Sequence, residues 1–187
     1  MNRALVVTLF VCCALLAGGV LEAAGNANFI LGQRSFRDDV FELFDQDQQS
    51  LFGANIDFGG QSWPVHMVVG LHLSAESTTV LDETIDTAVA DLSFGAVWYP
   101  MKGSTTRPYL GAGVSSLGVA VDDGFDTEDD QTFAAYINGG VFWRLGRRFN
   151  IGLDLRVSRG GEVTLFAIPI ETDYEQLGLI LGFGWGD

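Results

Sequence analysis

The sequence predicts an all-β chain: an eight-stranded antiparallel up-and-down transmembrane β-barrel. Three observations carry that expectation. Apolar and polar residues alternate over strand-length stretches, one face of those stretches is free of charge, and the connections between them alternate between short and long. FNIGLDLRVS, residues 149–158, is the clearest stretch. Phe149, Ile151, Leu153, Leu155 and Val157 share one face, and Asn150, Gly152, Asp154, Arg156 and Ser158 share the other, because successive side chains of a strand point to opposite sides. A soluble sheet turns its apolar face inward. A membrane barrel turns that face to lipid and lines its lumen with the polar one.

The chain has 187 residues and a formal net charge of -14, a length that suits one domain plus a targeting segment. It opens MNRALVVTLFVCCALLAGGVLEAAGNAN. Arg3 supplies a positive start, Ala4 to Val20 an apolar run, and small residues follow. That is the pattern of a secretory signal peptide over 1–25, with the barrel over 26–187. Ala23-Ala24-Gly25 offers cleavage before Asn26, and Gly25-Asn26-Ala27 is a second candidate. Cys12 and Cys13 are both inside this segment, so the mature chain is expected to hold no disulfide, thiol nucleophile or cysteine metal site. No later apolar run is long enough for a spanning helix. A membrane-crossing form must then be a closed barrel, which satisfies every strand's backbone in lipid.

Strands are expected at roughly 28–34, 51–58, 63–74, 88–99, 108–118, 132–144, 148–158 and 175–185, most of them close to the length a tilted strand needs to cross a bilayer. Short connections follow the second, fourth and sixth: GGQS, PMKGSTTR and LGR. Long ones follow the first, third, fifth and seventh: SFRDDVFELFDQDQQS, AESTTVLDETIDT, AVDDGFDTEDDQ and RGGEVTLFAIPIETDY. Short turns at one end and long loops at the other are the barrel pattern. On the second strand Phe52, Ala54, Ile56 and Phe58 fall on the presumed outer face; Val65, Met67, Val69, Leu71 and Leu73 do so on the third. The face continues through Leu92, Phe94 and Trp98, then Leu110 and Val114, then Phe133, Ile137 and Trp143, and closes with Leu177, Leu179, Leu181, Phe183 and Trp185.

The opposite face mixes polar residues with glycines such as Gly53, Gly95, Gly113, Gly152 and Gly178. A solvated strand face is built from Lys, Glu and Thr, and glycine weakens a strand unless something packs close to it. A narrow lumen is such a place. The single lysine, Lys102, is in a turn. Trp63, Trp98, Trp143 and Trp185 all fall at strand ends on the short-turn side, where an interfacial aromatic girdle belongs.

RPYLGAGVS (Arg107 to Ser115) and GGVFWRLGRRFNIGLDLRVS (Gly139 to Ser158) resemble the matching hairpins of OmpA-like and OmpW-like small outer-membrane barrels. LGLILGFGW resembles the C-terminal signal read by the barrel assembly machinery, and departs from it by running on to Gly186 and Asp187. The resemblance implies an outer-membrane location, outer-membrane lipid and that machinery as partners, and no cofactor. A wall-binding domain of the OmpA sort is not expected.

Six charges are expected to form a lumen cluster: Arg34, Asp57, Asp91, Arg144, Asp154 and Arg156. Buried charges must be paired or hydrated, and about eight strands leave an interior just filled by side chains. Asp154 is expected to belong to an ion-paired cluster in a plugged lumen, with Arg156, two residues along the same face, or Arg144, on the preceding strand but nearer the short-turn end, as the cation within reach. A conducting path is the alternative. His72 and Ser74 resemble the His-x-Ser element of outer-membrane lipid A deacylases, with Glu76 or Glu83 as a possible orienting acid. That enzyme reading is set against the assignment of this face to the lumen, and no catalytic residue is assigned. Asp122, Asp123, Asp126, Glu128, Asp129 and Asp130 offer carboxylates that could take calcium. Their spacing is not that of an EF-hand, a solvated acidic loop is the simpler reading, and no metal is assigned. The acids crowd the long loops, which disfavours nucleic acid and other anions as partners. EVTLFAIPIE, Glu162 to Glu171, is apolar for a loop and is expected to extend the last hairpin or to bind a partner or lipid. The function expected is a structural or surface-interaction barrel. A narrow solute channel of the OmpW kind is the first alternative and a lipid-modifying hydrolase the second.

Overall fold

The computed structural model describes residues 24–38, 47–60, 62–80, 83–101, 103–122, 127–165 and 168–186. The expected signal peptide lies outside the described residues up to residue 23. The strands are β1 (Ala24–Phe36), β2 (Gln48–Gly59), β3 (Val65–Val80), β4 (Glu83–Trp98), β5 (Thr106–Asp122), β6 (Thr127–Leu145), β7 (Phe149–Arg159), β8 (Glu162–Leu165), β9 (Ile168–Glu171) and β10 (Tyr174–Trp185). Eight of them close into one antiparallel barrel in the order β1-β10-β7-β6-β5-β4-β3-β2, and β8 and β9 form a separate hairpin. The seam is a full ladder: β1 pairs with β10 from Gly25↔Trp185 to Phe36↔Tyr174. Closure leaves no open edge along the wall's paired height.

The alternation sets the faces. On β7, Phe149 is 66% exposed and Leu155 58%, whereas Asp154 is 1% exposed and Arg156 2%. The same parity runs round the barrel, with Phe29, Phe52, Leu71, Phe94, Leu110, Ile137 and Leu179 outside. Asp57, His72, Asp91, Ser115 and Gln176 are inside. Apolar outside and polar inside is the reverse of what water favours, and a hydrocarbon surround stabilises it. Two glycines opposite one another show how the lumen holds large groups. Gly95 and Gly113 are cross-strand partners, and a Cβ on Gly95 would stand 2.5 Å from the Tyr136 hydroxyl, one on Gly113 2.8 Å from the Tyr136 ring.

Three expectations are corrected. The connections 75–87 and 119–131 are largely strand. The β3–β4 ladder runs to Val80↔Glu83 and the β5–β6 ladder to Asp122↔Thr127. Hairpin pairing satisfies the backbone above the apolar belt without needing an apolar face. The wall is therefore uneven: β3 and β4 have 16 residues each, β5 17 and β6 19. By contrast, β1 has 13, β2 and β10 have 12 each and β7 has 11. Trp63 precedes β3 rather than opening it and is 65% exposed.

The third correction concerns EVTLFAIPIE. Val163 and Leu165 of β8 and Ile170 of β9 turn into the barrel mouth, whereas Ile168 is 51% exposed. Val163, Leu165 and Ile170 are buried with Phe36, Val89, Leu117, Val119, Ala134 and Tyr174 in one apolar cluster. Burying such side chains contributes about 1.5–3 kcal/mol each relative to exposure. The hairpin is latched to β6 on the tall side of the wall and to Asp38, just beyond β1, on the low side. Glu162 N donates to Thr132 Oγ1 (3.3 Å) and Thr164 N to Asp130 Oδ2 (2.7 Å), and Glu171 N donates to Asp38 Oδ2 (2.8 Å).

Candidate functional site

The lumen is the site that this fold builds, and three polar groups fill it. The upper group centres on Asp91 of β4, fully buried. Arg34 of β1 reaches it at 3.6 Å and Arg156 of β7 at 3.3 Å, and the Tyr174 hydroxyl donates to it as well. Arg34 also donates to Ser74 Oγ (3.3 Å) and Gln176 Oε1 (3.2 Å), and lies 4.1 Å over the Tyr174 ring. Arg156 lies 3.7 Å over the Tyr136 ring and donates to Ser93 Oγ (3.3 Å). Strands from opposite sides of the barrel are thus tied through one carboxylate.

The lower group, at the short-turn end, centres on Asp57 of β2. It accepts hydrogen bonds from Asn26 Nδ2 (3.0 Å) and the Tyr99 hydroxyl (2.8 Å), and His66 Nδ1 stands 2.7 Å away. Asn26 Oδ1 in turn accepts from Arg144 (2.9 Å) and Asn150 (3.0 Å). Between the two groups, Asp154 Oδ1 accepts from the Tyr109 hydroxyl and from Asn138 Nδ2 (3.2 Å).

The six lumen residues read from the sequence are therefore distributed over three centres. Arg34, Asp91 and Arg156 come together; Asp57 and Arg144 are joined through Asn26; Asp154 has neutral donors. The expected direct pair of Asp154 with Arg156 does not form. Residues two apart on a strand are separated by about 6.6–7 Å of rise, and Arg156 crosses to Asp91 instead. Tyr99, Tyr174, Asn26 and Gln49 were not among the candidates, although Tyr99, Tyr174 and Asn26 flank or sit beside residues that were. The signal that could have found them is parity carried to the strand ends.

His72 and Ser74 face the lumen, 1% and 4% exposed, and do not bond to each other. Arg156 donates to His72 Nδ1 (3.2 Å), which leaves the proton on Nε2, 3.0 Å from Asn55 Oδ1. The Ser74 hydroxyl donates to Gln49 Oε1 (2.8 Å). The base that acyl transfer needs beside its nucleophile is committed elsewhere.

The described acids of the acidic stretch lie in strands. Asp122 ends β5, while Glu128, Asp129 and Asp130 lie in β6, where neighbouring side chains alternate between faces. Asp123 and Asp126 lie outside the described residues. Among the described residues, no three acids or other ligating side chains are grouped to hold a metal. Asp130 has another role: the Thr164 and Gln131 amides hold its carboxyl below the usual carboxylate range. A depressed value means the contribution is present above the unfolded value of about 4. It is lost as pH falls through the lower folded value. The Thr164 amide shift, followed by NMR, should hold steady down to about pH 4 and titrate below it; in Asp130→Asn it should not titrate. A shift that titrates unchanged in Asp130→Asn would dissociate the latch from this carboxylate.

Trp63, Trp98 and Trp143 are exposed and Trp185 is half-buried. All four stand at the short-turn end, where Trp98 is the partner of Val65, Trp143 of Thr106 and Trp185 of Gly25.

No protein-family model and no curated protein matches the chain. Solved structures do. The chain is similar to Neisserial surface protein A, with 13% identity, 88% of this chain and 97% of that one covered, and a TM-score of 0.61. It is similar to OprG, an outer membrane protein of Pseudomonas aeruginosa, with 13% identity, 89% and 98% covered, and 0.57. It is also similar to Ail, the attachment invasion locus protein of Yersinia pestis, in complex with the heparin analogue sucrose octasulfate, with 12% identity, 87% and 99% covered, and 0.57. With its closed order of eight antiparallel strands and its inside-out faces, the chain has the fold of the small outer-membrane β-barrels.

Proposed function

We propose that this chain is an outer-membrane barrel that acts through its exterior and passes no solute. The observation that carries the reading is the Arg34–Asp91–Arg156 group, which spans the lumen from wall to wall. The β8–β9 hairpin adds a second, apolar seal above it. The four Trp residues at the short-turn end act as the interfacial girdle, and the N-terminal segment and closing strand serve export and barrel assembly. The uneven wall leaves β3 to β6 standing above the belt as the surface on offer.

The charge of that surface limits its partners. No Lys or Arg occurs in residues 65–98 or 108–143. Arg37 and Arg159, at the low side of the rim, are both engaged by Glu175. A polyanion such as the sulfated sugar seen with Ail is therefore not the expected partner, whereas cationic groups are. Planar-bilayer recording of the refolded protein tests the seal. Baseline current is expected for the full chain and for a variant lacking 162–171, since the charged group closes the lumen by itself. A steady unitary conductance in the full chain would replace this reading with the narrow channel.

A further inference from the structure

We propose that one or two trapped waters occupy the mid-lumen cavity and join Asp154 to Arg156. The cavity is about 30 Å³ and both residues line it, with Asn28, Ser93, Tyr109 and Asn138. Water needs roughly 10–15 Å³ of such volume and polar partners to hold it. The partners are there: Asp154 Oδ2 and Arg156 Nε are buried and have no hydrogen-bond partner among the described residues. One is an acceptor and the other a donor. A cation between them would satisfy Asp154 and meet the guanidinium's repulsion, and an anion would do the reverse; Asp57, which also lines the cavity, already accepts from Asn26 and the Tyr99 hydroxyl. Water donates to Oδ2 and accepts from Nε. The space is capped below by Tyr99, Tyr109 and Phe142, with ring centroids 6.0–6.2 Å apart. Arg156, packed 3.7 Å from the Tyr136 ring, closes it above. The waters are therefore held between these groups, and the upper and middle polar groups become one network.

Water-to-protein NOEs in the refolded, isotope-labelled protein, together with urea unfolding rates in lipid, test this. Long-lived water NOEs to the Asn138 side-chain amide are expected. Asp154→Asn should speed unfolding about tenfold, Arg156→Gln by more because it also breaks the pair with Asp91, and the double variant should be little faster than Arg156→Gln alone. Val97→Leu fills the cavity from its lining without touching a charge, and should remove both the NOEs and the coupling. Absent NOEs with multiplicative rates would overturn the proposal. So would protection from unfolding that requires sodium or chloride, which would make an ion the occupant.

Discussion

Leu153→Arg is expected to destabilise the folded barrel in a bilayer by about 2–4 kcal/mol. Leu153 is the third of the five apolar positions on β7 and 42% exposed. Its register partners are Val141 on β6 and Leu179 on β10; both belong to the outer face, and Leu179 is 58% exposed. No neighbouring side chain there offers the guanidinium a carboxylate. It would have to reach an interface from mid-belt, which costs more than the same change at Phe149 beside the short turn. Equilibrium urea unfolding in phosphatidylcholine vesicles measures this. Unchanged stability would mean that the outer face of β7 does not meet hydrocarbon.

Asp91→Asn is expected to cost about 3–5 kcal/mol, because breaking a buried pair leaves its partners uncompensated. Here the partners are two guanidiniums, Arg34 and Arg156, both within 4 Å of the one carboxylate. The amide can still accept from the Tyr174 hydroxyl, so the loss reports the charge rather than the hydrogen bond. The triple change Asp91→Leu, Arg34→Met and Arg156→Met replaces the whole group with apolar residues of similar volume. It should recover most of the loss, since apolar replacement of a buried ionic group is often neutral or better. The same unfolding measurement serves for both. A loss below about 1 kcal/mol in Asp91→Asn would mean that the group is hydrated like a surface pair and is not the lumen's seal.

Much of this protein was legible as a period of two. That period placed Leu153 outside and Asp154 inside, and it counted the barrel strands, because a one-residue slip would expose every buried charge at once. The tops of β3 to β6 were not legible. Ser77 and Asp86, or Asp122 and Thr127, are cross-strand partners, yet such residues carry no apolar alternation, so hairpin pairing there left no pattern to read. The destination of Val163, Leu165 and Ile170 was hidden for a related reason: a short apolar run states that it must be covered, not by what.

Partner choice in the lumen was decided by closure. Parity puts Arg34, Asp91, Asp154 and Arg156 on one face, but distances across a barrel depend on which strands stand opposite and at what stagger. Arg156 meets Asp91 across the lumen (3.3 Å) rather than Asp154 on its own strand. The sequence by itself determined which side chains must be inside, because alternation is local. The tertiary structure alone decided which of them touch, because contact across the lumen joins residues far apart in the chain, as between His72 on β3 and Arg156 on β7, 84 positions apart.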